Sequence, residues 1–135
     1  MLTQFVGIKS HHGKYLTSSS GGKITCDKND MKDNEVFTIR QEGANITIKT
    51  RFGKYISVTS NGGLEAEKDK IGNTEKFELE LKDNNKFNLK SCFGFYVSAQ
   101  KDGKIDVNKK QATEFETFQF VVKKIESLTE FLKFN

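Results

Sequence analysis

At 135 residues, with 22 Lys and Arg against 18 Asp and Glu, the chain carries a net charge of +4 and contains 12 Phe, 3 Tyr, no Pro and no Trp. Its length excludes two separate cores, and no stretch is apolar for long enough to span a bilayer. The charges are interspersed, which gives a mildly basic surface suited to an acidic partner and argues against a dedicated nucleic-acid binder, while the missing Trp removes the usual sugar-stacking platform.

Residues 1–43 set a pattern. Phe5, Val6 and Ile8 lead into Ser10-His11-His12-Gly13-Lys14-Tyr15-Leu16; a serine-rich hairpin follows at Gly21-Gly22, then Ile24 and Cys26, a polar loop carrying Met31, and a strand from Val36 to Ile39. Residues 44–82 repeat it with short alternating runs at Ile46/Ile48, Tyr55 to Val58, Leu64/Ala66 and Phe77/Leu79. Period two marks half-buried strands. The first two runs join through Arg51-Phe52-Gly53-Lys54. The next two join at Asn61-Gly62, a dipeptide suited to a two-residue hairpin in which both central residues take positive φ. Residues 83–124 repeat it again, with Phe87/Leu89, Tyr96/Val97, Ile105/Val107 and Phe118/Phe120 as inward pairs.

The copies superpose without an internal gap. Ile48, Gly53, Tyr55, Gly62, Leu64, Glu75 and Phe77 become Ile8, Gly13, Tyr15, Gly22, Ile24, Glu35 and Phe37 on moving back 40 residues, and Leu89, Gly94, Tyr96, Gly103, Ile105, Glu116 and Phe118 on moving forward 41. All three Tyr share one repeat position, so their first role is architectural. Met31, Ile71 and Ala112 also align, which predicts one apolar side chain per copy tucked under the third connection. Twelve short strands, none able to bury its apolar face alone, close around a pseudo-threefold axis. The predicted fold is all-β, a β-trefoil over residues 1–124: six strands in a barrel and three hairpins capping one end.

After Lys123-Lys124 the period changes. Ile125, Leu128, Phe131 and Leu132 fall at helical spacing, and Ser127 with Glu130 resembles a weak capping box, so the tail of residues 125–135 is expected to hold a short helix over the barrel wall or its open end, with an added strand as the competing reading. A docking or dimer-forming tail is the functional alternative. Cys26 aligns with Ala66 and Val107 and is expected in the core; Cys92 lies in a turn as an exposed free thiol. With the two cysteines unpaired and no charged segment followed by an apolar run at the start, a cytosolic protein is expected.

No catalytic or metal constellation stands out. His11 and His12, adjacent on a turn, are expected on opposite sides of a strand, with no cluster to complete a metal site. Glu35, Glu75 and Glu116 recur by symmetry and look like scaffold, and no phosphate loop is present. No enzyme activity and no cofactor are expected.

The turn Ser10-His11-His12-Gly13-Lys14-Tyr15-Leu16, its echo Thr50-Arg51-Phe52-Gly53-Lys54-Tyr55-Ile56, the third form Ser91-Cys92-Phe93-Gly94-Phe95-Tyr96-Val97, and the Glu-x-Phe strands at Glu35, Glu75 and Glu116 resemble the fascin and hisactophilin group of β-trefoils. That resemblance implies a cytoplasmic, cytoskeleton-associated protein that binds actin filaments (F-actin), with bundling or cross-linking as an extension. Hisactophilins are the nearer match as single trefoils, but they use dozens of histidines and an N-terminal glycine for myristoylation. Here there are two His, and Leu2 follows Met1, so neither a proton-driven switch nor a stable membrane anchor is expected. Nucleic acid is not expected as a partner, and the chain is expected to be a monomer or a dimer through its tail. Basic side chains on rigid strand ends are the candidate actin contacts: Lys9, Lys49 and Lys90, which recur in all three copies, Lys14 and Lys54, which recur in two, and Arg51 in the same turn as Lys54. Lys28, Lys68 and Lys109 recur as well. The competing role for such lysines is protection of strand edges against aggregation. Phe95 replaces Lys at the Lys14 and Lys54 position, either as an apolar binding spot or as core filler. A lectin-like or other protein-interaction trefoil is the alternative function.

Overall fold

The computed structural model describes residues 2–134. Twelve strands and one helix follow each other as β1 (Leu2–Ser10), β2 (Tyr15–Ser18), β3 (Ile24–Lys28), β4 (Phe37–Glu42), β5 (Asn45–Thr50), β6 (Tyr55–Val58), β7 (Leu64–Lys68), β8 (Phe77–Leu81), β9 (Lys86–Lys90), β10 (Tyr96–Ala99), β11 (Ile105–Lys109), β12 (Phe118–Val122) and α1 (Leu128–Phe134). Six of them form a closed antiparallel ring in the order β1, β4, β5, β8, β9, β12 and back to β1. The pairs β2–β3, β6–β7 and β10–β11 are hairpins attached to it. This is the β-trefoil.

Period-two patterning works here because each inward position is filled three times around one axis. Val6, Ile46 and Phe87 form one buried triplet; Ile8, Ile48 and Leu89 form another, and Phe37, Phe77 and Phe118 a third. Leu16, Ile56 and Val97 with Cys26, Ala66 and Val107 seal the hairpin end. Fully burying a side chain of this size contributes about 1.5–3 kcal/mol. The core position of Cys26 pushes its thiol pKa up to about 11, because burial disfavours the thiolate.

The hairpins interlock in a cycle. Cys26 N donates to Gly103 O, Ala66 N to Gly22 O and Val107 N to Gly62 O, each at 2.8 Å. Their loops differ from the two-residue form expected. Gly22 N donates to Ser19 O at 3.0 Å and Ser19 N to Lys23 O at 3.1 Å, so the loop has three residues, and only the last, Gly22, has positive φ, at 93°. The repeats at Thr59–Gly63 and Gln100–Lys104 are built the same way. An i to i+3 turn ending in a left-handed glycine suits the strand twist as well as a primed two-residue turn does, and Asn-Gly or Asp-Gly serves either. The glycine is also needed for space: a Cβ at Gly103 would lie 2.7 Å from Asp27 Cβ.

Each copy closes its third connection with a single 3-10 turn, at Asp33–Glu35, Asn73–Glu75 and Glu114–Glu116. The buried glutamates tie that turn to the preceding hairpin. Glu116 Oε1 accepts from Thr113 N at 2.7 Å and Oε2 from Ser98 Oγ at 2.5 Å; Glu75 does the same with Gly72 N at 2.7 Å and Ser57 Oγ at 2.5 Å. Glu35 accepts from Lys32 N at 2.9 Å and from the Thr17 hydroxyl. The recurrent carboxylates are thus part of the scaffold.

The expected apolar plug under each third connection holds only in part. Met31 lies on Gly7, whose missing side chain makes room for it, but Ile71 is exposed. The equivalent of Gly7 in the second copy is Thr47, so that position carries a side chain where the first copy has none.

The tail forms the expected helix on the outer wall over β1 and β4, with Ser127 Oγ accepting from Glu130 N at 3.1 Å. Its inward face is not the expected one. Phe134 is buried, Phe131 meets Phe5 edge-on at 5.9 Å, and Leu128 and Leu132 face outward, 72% and 62% exposed. Two aromatic rings against Phe5 remove more apolar area from water than two leucines would.

Candidate functional site

The three strand-end lysines sit on β1, β5 and β9, alternate members of the six-strand ring, so Lys9, Lys49 and Lys90 are a third of the barrel apart. Each lies over the tyrosine that begins the next strand. Lys9 Nζ is 5.6 Å from the Tyr15 ring centre, Lys49 Nζ 5.7 Å from Tyr55 and Lys90 Nζ 5.6 Å from Tyr96. The ring face holds the aliphatic stem and orients the ammonium without neutralising it. Among the described residues, none of these three lysines has a carboxylate within salt-bridge distance. Tyr96 differs from its two equivalents by donating to both oxygens of Glu80 at 2.8 and 3.0 Å, and that carboxylate raises the phenol pKa.

The other candidates are engaged within the chain. Lys54 pairs with Asp69, and the resulting hydrogen bond holds that carboxyl below its usual range; Lys14 donates to Asn29 Oδ1. Arg51 donates to Asn34 Oδ1 at 3.1 Å and stacks on Phe52 at 5.0 Å, at the edge of a polar basin of about 840 Å³. Although Arg51 and Lys54 share a turn, they point to different partners. Phe95 is half-buried and packs against the core; the exposed ring of that turn is Phe93, 52% accessible.

The two histidines are on one side of their turn, not on opposite faces. Their rings meet at 5.5 Å, and His12 meets Phe115 at 4.8 Å while donating from Nε2 to Ala99 O at 3.2 Å. His11 Nε2 is 3.7 Å from Glu114 Oε2. Because the turn is a three-residue loop and not a strand, alternation does not apply to it. The cluster closes the seam between the first and third copies. Sequence pattern missed it because Phe115 is distant along the chain. Among the described residues, no group of His, Cys, Asp and Glu is arranged to hold a metal ion. No helix is long and apolar enough to cross a membrane.

This arrangement of Gly-Lys-Tyr turns and Glu-x-Phe strands on a trefoil corresponds to a known family. The family model for the Fascin domain matches residues 3–79, which is more than half of the chain. The chain belongs to the fascin-domain family. No curated protein matches it. The match spans the first copy and most of the second; the third belongs to the same fascin-type trefoil because β9 and β12 complete its barrel. Two basic residues on the wall of this fascin domain, Lys76 and Lys86, escaped the sequence reading. They lie where the copies differ, aligned with Val36 and Thr117 and with Phe5 and Asn45 respectively, and that divergence was the available signal.

Proposed function

We propose that the chain is an actin-filament-binding protein that meets the acidic filament surface with basic side chains fixed on its barrel wall. Membership of the fascin-domain family supports this reading, and the observation that carries it is the posture of Lys9, Lys49 and Lys90. Each is held on a tyrosine face with no described carboxylate within salt-bridge distance. Lys14, Lys54 and Arg51, whose hydrogen-bonding capacity is used within the chain, contribute less. A rigid filament can face only one third of the barrel at a time, so one of the three lysines dominates. We assign residues 1–124 to the binding unit, residues 125–135 to a tail packed on it, and the protein to the cytoplasm.

High-speed co-sedimentation with actin filaments tests the reading. The protein is expected in the pellet at low salt, with binding that weakens as salt screens the charges. A glycan array and a single-stranded DNA shift assay are expected to be negative. Failure to pellet with filaments, or a specific glycan signal, overturns the assignment.

A further inference from the structure

Three grooves on the outer wall are related by the repeat. Each lies between the turn that follows β1, β5 or β9 and the start of a neighbouring barrel strand, and the residue at position 5, 45 or 86 sets its floor. The helix α1 occupies the one between the first and second copies. There Phe5 meets Phe131 and Phe134, Thr38 Oγ1 donates to Phe134 O at 3.2 Å, and Lys133 pairs with Asp33 at 3.2 Å. The other two are open, with volumes of about 370 and 190 Å³. Their floor residues are Asn45 and Lys86 in place of Phe5, so a second copy of the aromatic helix finds no apolar anchor in either.

The two open grooves differ in charge. In the groove between the second and third copies, Glu78 is the register partner of Lys90 and offsets it. At the seam of the first and third copies the equivalent partner of Lys9 is Gln119. That seam groove is lined by Lys9, Lys86 and His11, with Ser10, Thr117 and Gln119 supplying neutral polar groups and no carboxylate in the wall. Glu114 stands outside it, 3.7 Å from His11, with a side chain 67% exposed.

We propose that the seam groove between the first and third copies is the docking site for an acidic peptide segment of a protein partner. Two lysines converge on a small concavity in which the exposed Gln119 amide can also donate to carboxylate oxygens, while the Thr117 hydroxyl is already given to Thr113 O at 3.0 Å. The space holds a few side chains; of the rings in its wall Phe118 is buried and His11 already meets His12 edge-on, so no run of exposed rings is offered on which successive bases could stack, which favours a peptide over nucleic acid. The inference rests on the filament-binding reading only in naming the segment as part of actin.

A fluorescein-labelled peptide of alternating Asp and Glu is the probe, read by fluorescence anisotropy. Wild type is expected to bind. Lys86→Glu and Gln119→Glu, both at exposed positions, are each expected to weaken binding by about tenfold, and Lys76→Glu in the other open groove by no more than about twofold. Melting temperatures check that all three fold, and Gln119→Glu provides the test if Lys86→Glu does not. Absence of peptide binding, equal loss in all three variants, or full displacement by single-stranded DNA overturns the proposal. The same proteins then go to filament co-sedimentation. Peptide binding without filament binding leaves the groove standing and removes actin as its partner. Filament binding that survives both seam variants places the filament contact elsewhere.

Discussion

Glu116 shows how a buried charge is held in this fold. Burial alone would raise its pKa, but hydrogen bonds from Ser98 and from the backbone and side chain of Thr113, with the field of Lys109, outweigh it and hold the carboxyl below its usual range. Glu75 is lowered likewise: burial opposes, and Ser57, Thr74, Gly72 N and Lys68 prevail. A carboxyl depressed in the folded state stabilises it fully above the unfolded pKa of about 4.3, and that contribution disappears as pH falls through the folded value. Urea titrations between neutral pH and pH 3 are therefore expected to show stability falling with acid below about pH 4.3. Glu116→Gln should flatten that slope; an unchanged slope would mean that Glu116 does not contribute. Glu116→Ala leaves Ser98 Oγ and Thr113 N without their acceptor and should cost about 2 kcal/mol at neutral pH. Gly7 gives a second prediction at this scale. A Cβ there would run into the end of the Met31 side chain, which must shift to admit it, so Gly7→Ala is expected to destabilise by about 1 kcal/mol. Met31→Ala should recover part of that loss, and a double-mutant cycle with no coupling would disprove the contact.

Among the elements, strands were the most legible. A triplet such as Ile8, Ile48 and Leu89 repeats one inward position, and period two leaves no second register that buries all three. The helix was legible in place but not in facing, since Leu128, Phe131, Leu132 and Phe134 spread apolar groups over an arc of roughly 160°, either edge of which could turn inward. Only the ring of Phe5, far away in sequence, decides which side turns inward. The loop type was hidden for another reason: the same dipeptide fits both alternatives, and the hydrogen bonds between hairpins reward the one that brings Gly22, Gly62 and Gly103 against the next copy. Lys86 is hidden in the sequence because it lies where the repeat breaks, whereas the recurring lysines mark only what the copies share. Two outcomes follow at this scale. Gly103→Ala, at φ 93° and against Asp27, should lower stability by about 2 kcal/mol in urea unfolding. Phe134→Ala removes the buried anchor of α1 and should cost about 3 kcal/mol while leaving the barrel folded. Amide exchange faster over 126–134 but unchanged in β5 and β9 would show that the tail opens independently.

For the molecule as a whole, threefold architecture and the proposed filament binding pull in different directions. Symmetry distributes Lys9, Lys49 and Lys90 around the axis, whereas a filament needs charge gathered on one side. The copies have diverged where this matters: α1 covers one groove, Glu78 offsets the lysine of the second, and the third remains basic. One favoured face means one filament contact, and cross-linking needs two contacts or a dimer. The aromatic face of α1 is already used within the chain, and the outward Leu128 and Leu132 offer far less than the roughly 800 Å² per partner typical of a stable interface. The chain is therefore expected to sediment as a monomer and to accompany filaments at high speed without gathering them into bundles that pellet at low speed. Removing residues 125–135 should leave that low-speed result unchanged at concentrations where the truncated chain is still a monomer. It should also uncover Phe5, adding an apolar patch that raises self-association in sedimentation velocity. Bundling by the intact monomer would instead mean that two of the three walls engage filaments, and paired variants, Lys86→Glu in one groove with Lys76→Glu in the other, would then be needed to abolish it.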